Sequence, residues 1–230
     1  MNRLVKLVGT VLALATAPLG ASALTIDFDA LQSGSLQPVP LTTFTEDGYE
    51  FLVSFSRTSG RRIAGAAIFD SANPVNGDTD LSPVAQGDNG VFGNILILQE
   101  FGSAVPDDAA AAGTITLTLL SGPAFRFLGA SAIDDTDFKF SSIIDGTTQA
   151  LGTIDIGDVE GNLPGGTRML TFGTPSQRIG VNDSIFIEIG GSGGVDSLQI
   201  APVPVPAALP MLVAGLGALT LVARRRKQHV

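Results

Sequence analysis

The chain contains no cysteine and no tryptophan, one tyrosine, and one histidine, His229, in the terminal tail. Without cysteine there are no disulfides, so stability has to come from a packed core, helped at most by a bound ion. Without histidine or cysteine elsewhere, Ser-His-Asp and Cys-His catalysis are excluded, as is zinc held by either ligand type. There is no Gly-Lys-Ser/Thr phosphate loop and no dinucleotide fingerprint opening a helix. Basic residues are scarce away from the ends. Arg3, Lys6, Arg224, Arg225, Arg226 and Lys227 take six of the 13 Lys and Arg, leaving residues 24–201 with seven against all 22 acids, a net of −15. Such a balance disfavours nucleic acid, whose phosphates need cationic partners, and favours solubility or cation binding. No fixed-period repeat is present, which argues against a solenoid or propeller.

What is present begins with an export signal. Residues 1–23 read as a secretory signal peptide. Arg3 and Lys6 form a basic start, Leu7 to Leu19 an apolar run, and Ala21-Ser22-Ala23 the small-x-small site read by signal peptidase.

Residues 24–201 read as one exported domain of all-β class, a jelly-roll-like β-sandwich. Thr114-Ile115-Thr116-Leu117-Thr118-Leu119 and Ser184-Ile185-Phe186-Ile187-Glu188-Ile189 alternate polar and apolar residues, the period of a sheet with one buried face. Tyr49 to Phe55, Asn94 to Gln99, Phe138-Lys139-Phe140, Thr153 to Ile156 and Val195 to Ile200 add further strands. Turn pairs such as Asp47-Gly48, Asn89-Gly90 and Asp145-Gly146 lie between them. Roughly ten short strands at this spacing predict a sandwich. Pro106 to Ala112 is expected to form one short helical turn ended by Gly113. Asp70 to Gly90 is a long polar loop, a length that in a compact domain points to function or disorder.

Residues 202–230 read as a sorting anchor. Pro202, Pro204 and Pro206 make a stiff, extended start. Ala207 to Ala223 carries no charge and is expected to form a transmembrane helix near the lower length limit. The cluster Arg224, Arg225, Arg226, Lys227 then stops transfer and keeps the C-terminus cytoplasmic, with the domain on the periplasmic side of the inner membrane. Val203, Pro204, Val205, Pro206 and Ala207, then the Gly-containing apolar segment and the Arg-rich end, resemble the VPLPA-type branch of the PEP-CTERM sorting domains. The family pattern has leucine where this chain has Val205, and the chain lacks the glutamate of the PEP form. The resemblance implies processing by an exosortase-type enzyme in a Gram-negative bacterium, and a final place at the cell surface or in the extracellular matrix. Ile68 to Pro74, Gly77 to Leu81, Gly93 to Glu100 and Pro106-Asp107-Asp108 with Gly113-Thr114-Ile115 are similar to secreted domains that often carry such anchors and have no assigned reaction.

The chemistry left to the domain is that of oxygen ligands, which suit calcium. Asp78, Asp80 and Asp88, with Asn73 and Asn89, concentrate such ligands in the polar loop. Asp134, Asp135 and Asp137 form a second cluster that reads as an ordinary turn. Asp27 and Asp29 on the first strand with Asp196 on the last form a third, since terminal strands of sandwiches often lie together. None follows the twelve-residue calcium loop, and turn formation accounts for Asp and Asn equally well. A catalytic pair of carboxylates carries little signal among 22 acids. Sugar binding usually uses exposed aromatic platforms, and here tryptophan is missing while Tyr49 sits in a strand expected to bury it. Arg61-Arg62 reads as a solvated turn. The expectation is a non-catalytic surface or matrix protein whose partners are signal peptidase, the exosortase-type enzyme, the inner membrane in passing and a candidate exopolysaccharide. The alternative is a calcium-dependent polysaccharide-binding module.

Overall fold

The computed structural model describes residues 22–31, 42–57, 63–74, 81, 92–103, 105–133, 137–155, 167–171 and 176–204. Ala21, Arg61-Arg62, Asp78, Asp80, Asp88, Asp134, Asp135, Val205, Pro206, Ala207, the apolar segment and Arg224 to Lys227 lie outside them. The described residues from Ser22 to Val203 belong to one compact unit.

Among the described residues twelve strands, all paired antiparallel, make two sheets. The first has the order β10 (Thr167–Thr171), β7 (Phe125–Ile133), β12 (Gly194–Pro202), β5 (Asn94–Glu100), β4 (Ile63–Asp70), with β1 (Leu24–Ile26) also paired to β12. The second has the order β2 (Thr43–Glu46), β3 (Tyr49–Arg57), β6 (Gly113–Ser121), β11 (Ser184–Ile189), β8 (Asp137–Ile144), β9 (Thr147–Asp155). No helix occurs among the described residues. The stretch expected to form a helical turn instead bridges Asp108 to Gln99 of β5, and Ala109 N donates to Leu98 O at 2.7 Å. Gln99, buried, holds this stretch, donating to Val105 O and accepting from Asp107 N, both at 3.1 Å. Sheet pairing therefore outcompetes the local helix propensity of its alanines.

Alternation does what the pattern promised. In β6, Ile115, Leu117 and Leu119 enter the core between the sheets, while Thr114, Thr116 and Thr118 face out. The same holds in β11 for Ile185, Ile187 and Ile189 against Ser184, Phe186 and Glu188. Phe44 stacks on Phe51 at 5.2 Å, and Phe28 and Tyr49 meet Phe44 and Phe125 edge-on at 5.6 and 5.5 Å. Each fully buried side chain of this kind contributes about 1.5–3 kcal/mol. The Asp47-Gly48 and Asp145-Gly146 pairs, all at positive φ, close the β2–β3 and β8–β9 hairpins as primed turns.

The two outer faces differ. On the first sheet, Ala67, Phe69, Ile95, Ile97 and Ile133 form a second apolar cluster, sealed by the fully buried Leu81 and the partly buried Phe92. On the second sheet, register aligns three outward rows across four strands. The middle row runs Ser54, Thr116, Phe186, Ser141. On one side lie Leu52, Thr118, Ser184 and Ile143, with Thr118 Oγ1 and Ser184 Oγ 2.8 Å apart. On the other lie Ser56, Thr114, Glu188 and Lys139, the last two forming an ion pair at 3.8 Å.

Candidate functional site

The first and last strands pair through Leu24↔Ile200, Thr25↔Gln199 and Ile26↔Leu198. Asp27 and Asp29 thus leave β1 beside Asp196 of β12, and the structure brings together the three acids grouped by that expectation. Two details differ from the sequence reading. Asp27 and Asp29 lie not in the strand but in the turn after it, and a fourth acid, Glu46 at the end of β2, joins them.

The turn is tied down through backbone groups. Asp29 N donates to Asp27 Oδ1 at 3.1 Å, and Leu31 N donates to Phe28 O at 2.9 Å. Asn94 N donates to Asp29 Oδ1 at 2.8 Å, and Asn94 Nδ2 donates to Leu31 O at 2.7 Å. Gly93, at φ 63°, packs so closely on the Asp29 carboxylate that any Cβ there would overlap it. Ser71 Oγ and Ser71 N both donate to Gly93 O, at 2.8 and 2.9 Å, which fastens the start of the polar loop to the same point. Phe28 at φ 60° and Ser197 at φ 51° are bulky or non-glycine residues in the left-handed region, and the β7–β12 register shifts beside Ser197. Such strain persists only where surrounding contacts over-determine it.

Two acids here hold protons well above the usual carboxylate range. Asp196 is 4% exposed and its pKa is pushed up to about 7. Burial is the main cause. Hydrogen bonds from Ser197 oppose it, and the charges of Asp29 and Asp27 reinforce it. Asp196 Oδ2 accepts from Ser197 Oγ at 3.0 Å, while Oδ1 is buried without a partner. Glu46 is also raised to about 7, first by burial, with a lowering bond from Asp27 N to Oε1 at 3.0 Å and a raising contribution from the Asp27 charge. Its Oε2 is buried and unpartnered. A neutral carboxylic acid is what a dry site without a nearby cation favours.

Among the described residues no group of three or more acids converges to hold a metal ion. The oxygens of Asp27 and Asp29 described above accept backbone N–H groups, and Asp196 turns one oxygen to Ser197. The corner is therefore organised to tie strands together. Of the sorting and cleavage residues, Ala23 precedes β1 directly, and Val203 follows β12, donating its N–H to Ala124 O at 2.7 Å. Glu46 was missed by sequence reasoning because nothing local marks it. Its proximity is set by the β2–β3 hairpin.

No protein-family model matches the chain, and no curated protein matches it. Among solved structures, two variants of a family 29 carbohydrate-binding module are similar at 12% identity and a TM-score of 0.32. The matches cover 79% and 80% of this chain and 85% and 92% of theirs. The enzymatically active domain of tailspike protein 4 from bacteriophage CBA120 is similar at 13% identity and a TM-score of 0.29, covering 74% of this chain and 22% of that one.

Proposed function

We propose that this chain is a non-catalytic exported protein of the cell surface or extracellular matrix, delivered by an exosortase-type system that acts on Val203 to Ala207. Signal peptidase removes residues 1–23, the segment 207–223 holds the chain in the inner membrane for a time, and Arg224 to Lys227 keep the tail cytoplasmic. The observation that carries this reading is the fit between processing boundaries and fold. The proposed signal ends at Ala23, one residue before β1, and the sorting motif begins at Val203, one residue after β12. Those two strands pair with each other. Trimming both ends therefore leaves every ladder of the sandwich whole. A non-catalytic role agrees with the acids. Asp196 is closed off from solvent, and burial is the largest cause of its raised pKa.

Mass spectrometry of the mature C-terminus on protein recovered from the cell exterior tests the proposal. The expected result is loss of Arg224 to Val230, with cleavage within or just after residues 203–207. An intact tail on surface-located protein makes the apolar segment a plain anchor and removes the sorting role.

A further inference from the structure

We infer that the outer face of the β2–β3–β6–β11–β8–β9 sheet binds a neutral polysaccharide, with Phe186 as the side chain on which a sugar ring stacks. This goes beyond the sorting role and stands or falls independently of it.

The fold treats its two outer faces in opposite ways. The apolar face of the first sheet is sealed by Leu81 of the polar loop and by Phe92, which follows that loop. The second sheet instead presents hydroxyls, with serine or threonine at seven of the twelve positions in its three central rows. Hydroxyls donate and accept at once, which matches the hydroxyls of a sugar. Phe186 stands in the middle row, half-buried, while most aromatic side chains of the described residues are in the core. Leu52 and Ile143 occupy the adjacent row, and Leu52 is 40% exposed. Ile143, on the neighbouring strand and one row over, extends the apolar ground beside Phe186, and the hydroxyls of Thr116, Thr118, Ser184 and Ser141 flank it as groups able to bond a pyranose rim; Leu52 lies two strands away.

Charge decides which polymer fits. The chain carries a net −9, yet the only charges in these rows are Glu188 and Lys139, which pair with each other. These twelve positions therefore carry no net charge on an acidic protein, and the nearest further acid on β3, Glu50, lies beyond them beside Ser121. A polyanion finds no spare cation there, and a basic partner finds no field to steer it. A protein interface core would be apolar and poor in serine, which this face is not. Four hydrogen-bonded strands hold the rows about 14 Å across, at about 4.8 Å per strand gap. Side chains fixed on a sheet lose little further freedom when a ligand arrives.

The test uses the full chain in mild detergent, run through native gels containing hydroxyethylcellulose, galactomannan, xylan or dextran, with alginate as the charged comparison. At least one neutral polymer is expected to retard the protein. Phe186→Ala should weaken that retardation at least tenfold and Thr116→Val, which keeps shape and removes one hydroxyl, several-fold. Phe101→Ala, an aromatic 52% exposed in the turn after β5, should leave it unchanged. If Phe186→Ala misfolds by circular dichroism, Thr116→Val decides alone. Retardation by no neutral polymer, or by alginate only, overturns the proposal. So does equal loss in Phe101→Ala, or a dimer in sedimentation that Phe186→Ala splits.

Discussion

Asp196 offers a measurement in which the sign of the effect changes with pH. Its carboxyl titrates near 3.8 when free and at about 7 in the fold, chiefly through burial. Between those values the unfolded chain has released a proton that the folded chain still holds. Stability of the folded state is therefore full below pH ~4, falls as pH rises through the window, and levels off above pH ~7. A shift of about three units at about 1.4 kcal/mol each sets an upper figure of about 4 kcal/mol, and relaxation brings the expected loss to about 2–4 kcal/mol. Asp196→Asn removes that titration and keeps the acceptor for Ser197 Oγ. It also places an amide N–H₂ where Oδ1 has no partner, a cost of about 1 kcal/mol. Urea denaturation at pH 4, 6 and 8 is the assay. The variant should be slightly less stable than the natural chain at pH 4 and more stable by about 1–3 kcal/mol at pH 8. Glu46, which titrates in the same window, is present in both chains and largely cancels in the difference. The reasoning is refuted if Asn lowers stability more at pH 8 than at pH 4. It is equally refuted if calcium raises the stability of the natural chain at pH 8 and leaves the variant unmoved, since Asp196 would then be an ionised cation ligand.

Three further substitutions probe what holds the fold. Gly93→Ala, at positive φ and against the Asp29 carboxylate, should cost more than about 2 kcal/mol in urea denaturation; a loss within 0.5 kcal/mol would mean the turn after β1 shifts freely. Leu81→Ala should cost about 2–4 kcal/mol in urea denaturation, because Leu81 is fully buried on the first sheet; a loss under about 0.5 kcal/mol would show that the second cluster does not depend on it. Asp108→Ala strips the buried acceptor of Ser192 Oγ and of Gly193 N, the latter at 2.5 Å, and should lower the melting temperature by about 5–10 °C. A shift under about 2 °C would show that water replaces the carboxylate.

Strands with one wet face were readable; of the strands with two dry faces, β5 was readable as an unbroken aliphatic run, while β4 and β7, diluted by small residues, were not. β6 and β11 alternate cleanly because one side meets the core and the other meets solvent. β4, Ile-Ala-Gly-Ala-Ala-Ile-Phe-Asp, shows no such period, since Ile68 packs into the main core while Ala67 and Phe69 pack under Leu81. β7 was missed for a related reason. Its Ala130 and Ala132 face the main core and Ile133 the second cluster. Small residues in such places satisfy packing limits rather than strand propensity. The loop between β4 and β5 read as polar from its acids, yet its one described interior residue, Leu81, is fully buried.

Composition alone determined that the domain has no cysteine for disulfides and no histidine for catalysis, and local alternation determined that it is built from strands. These properties depend on which atoms are present and on neighbours two residues apart. Only the tertiary structure decided that Asp196 and Glu46 keep their protons up to about pH 7 and that Phe186 stands among outward-facing hydroxyls. Those properties depend on which distant strands lie side by side. Register and burial set them, and a linear pattern carries neither.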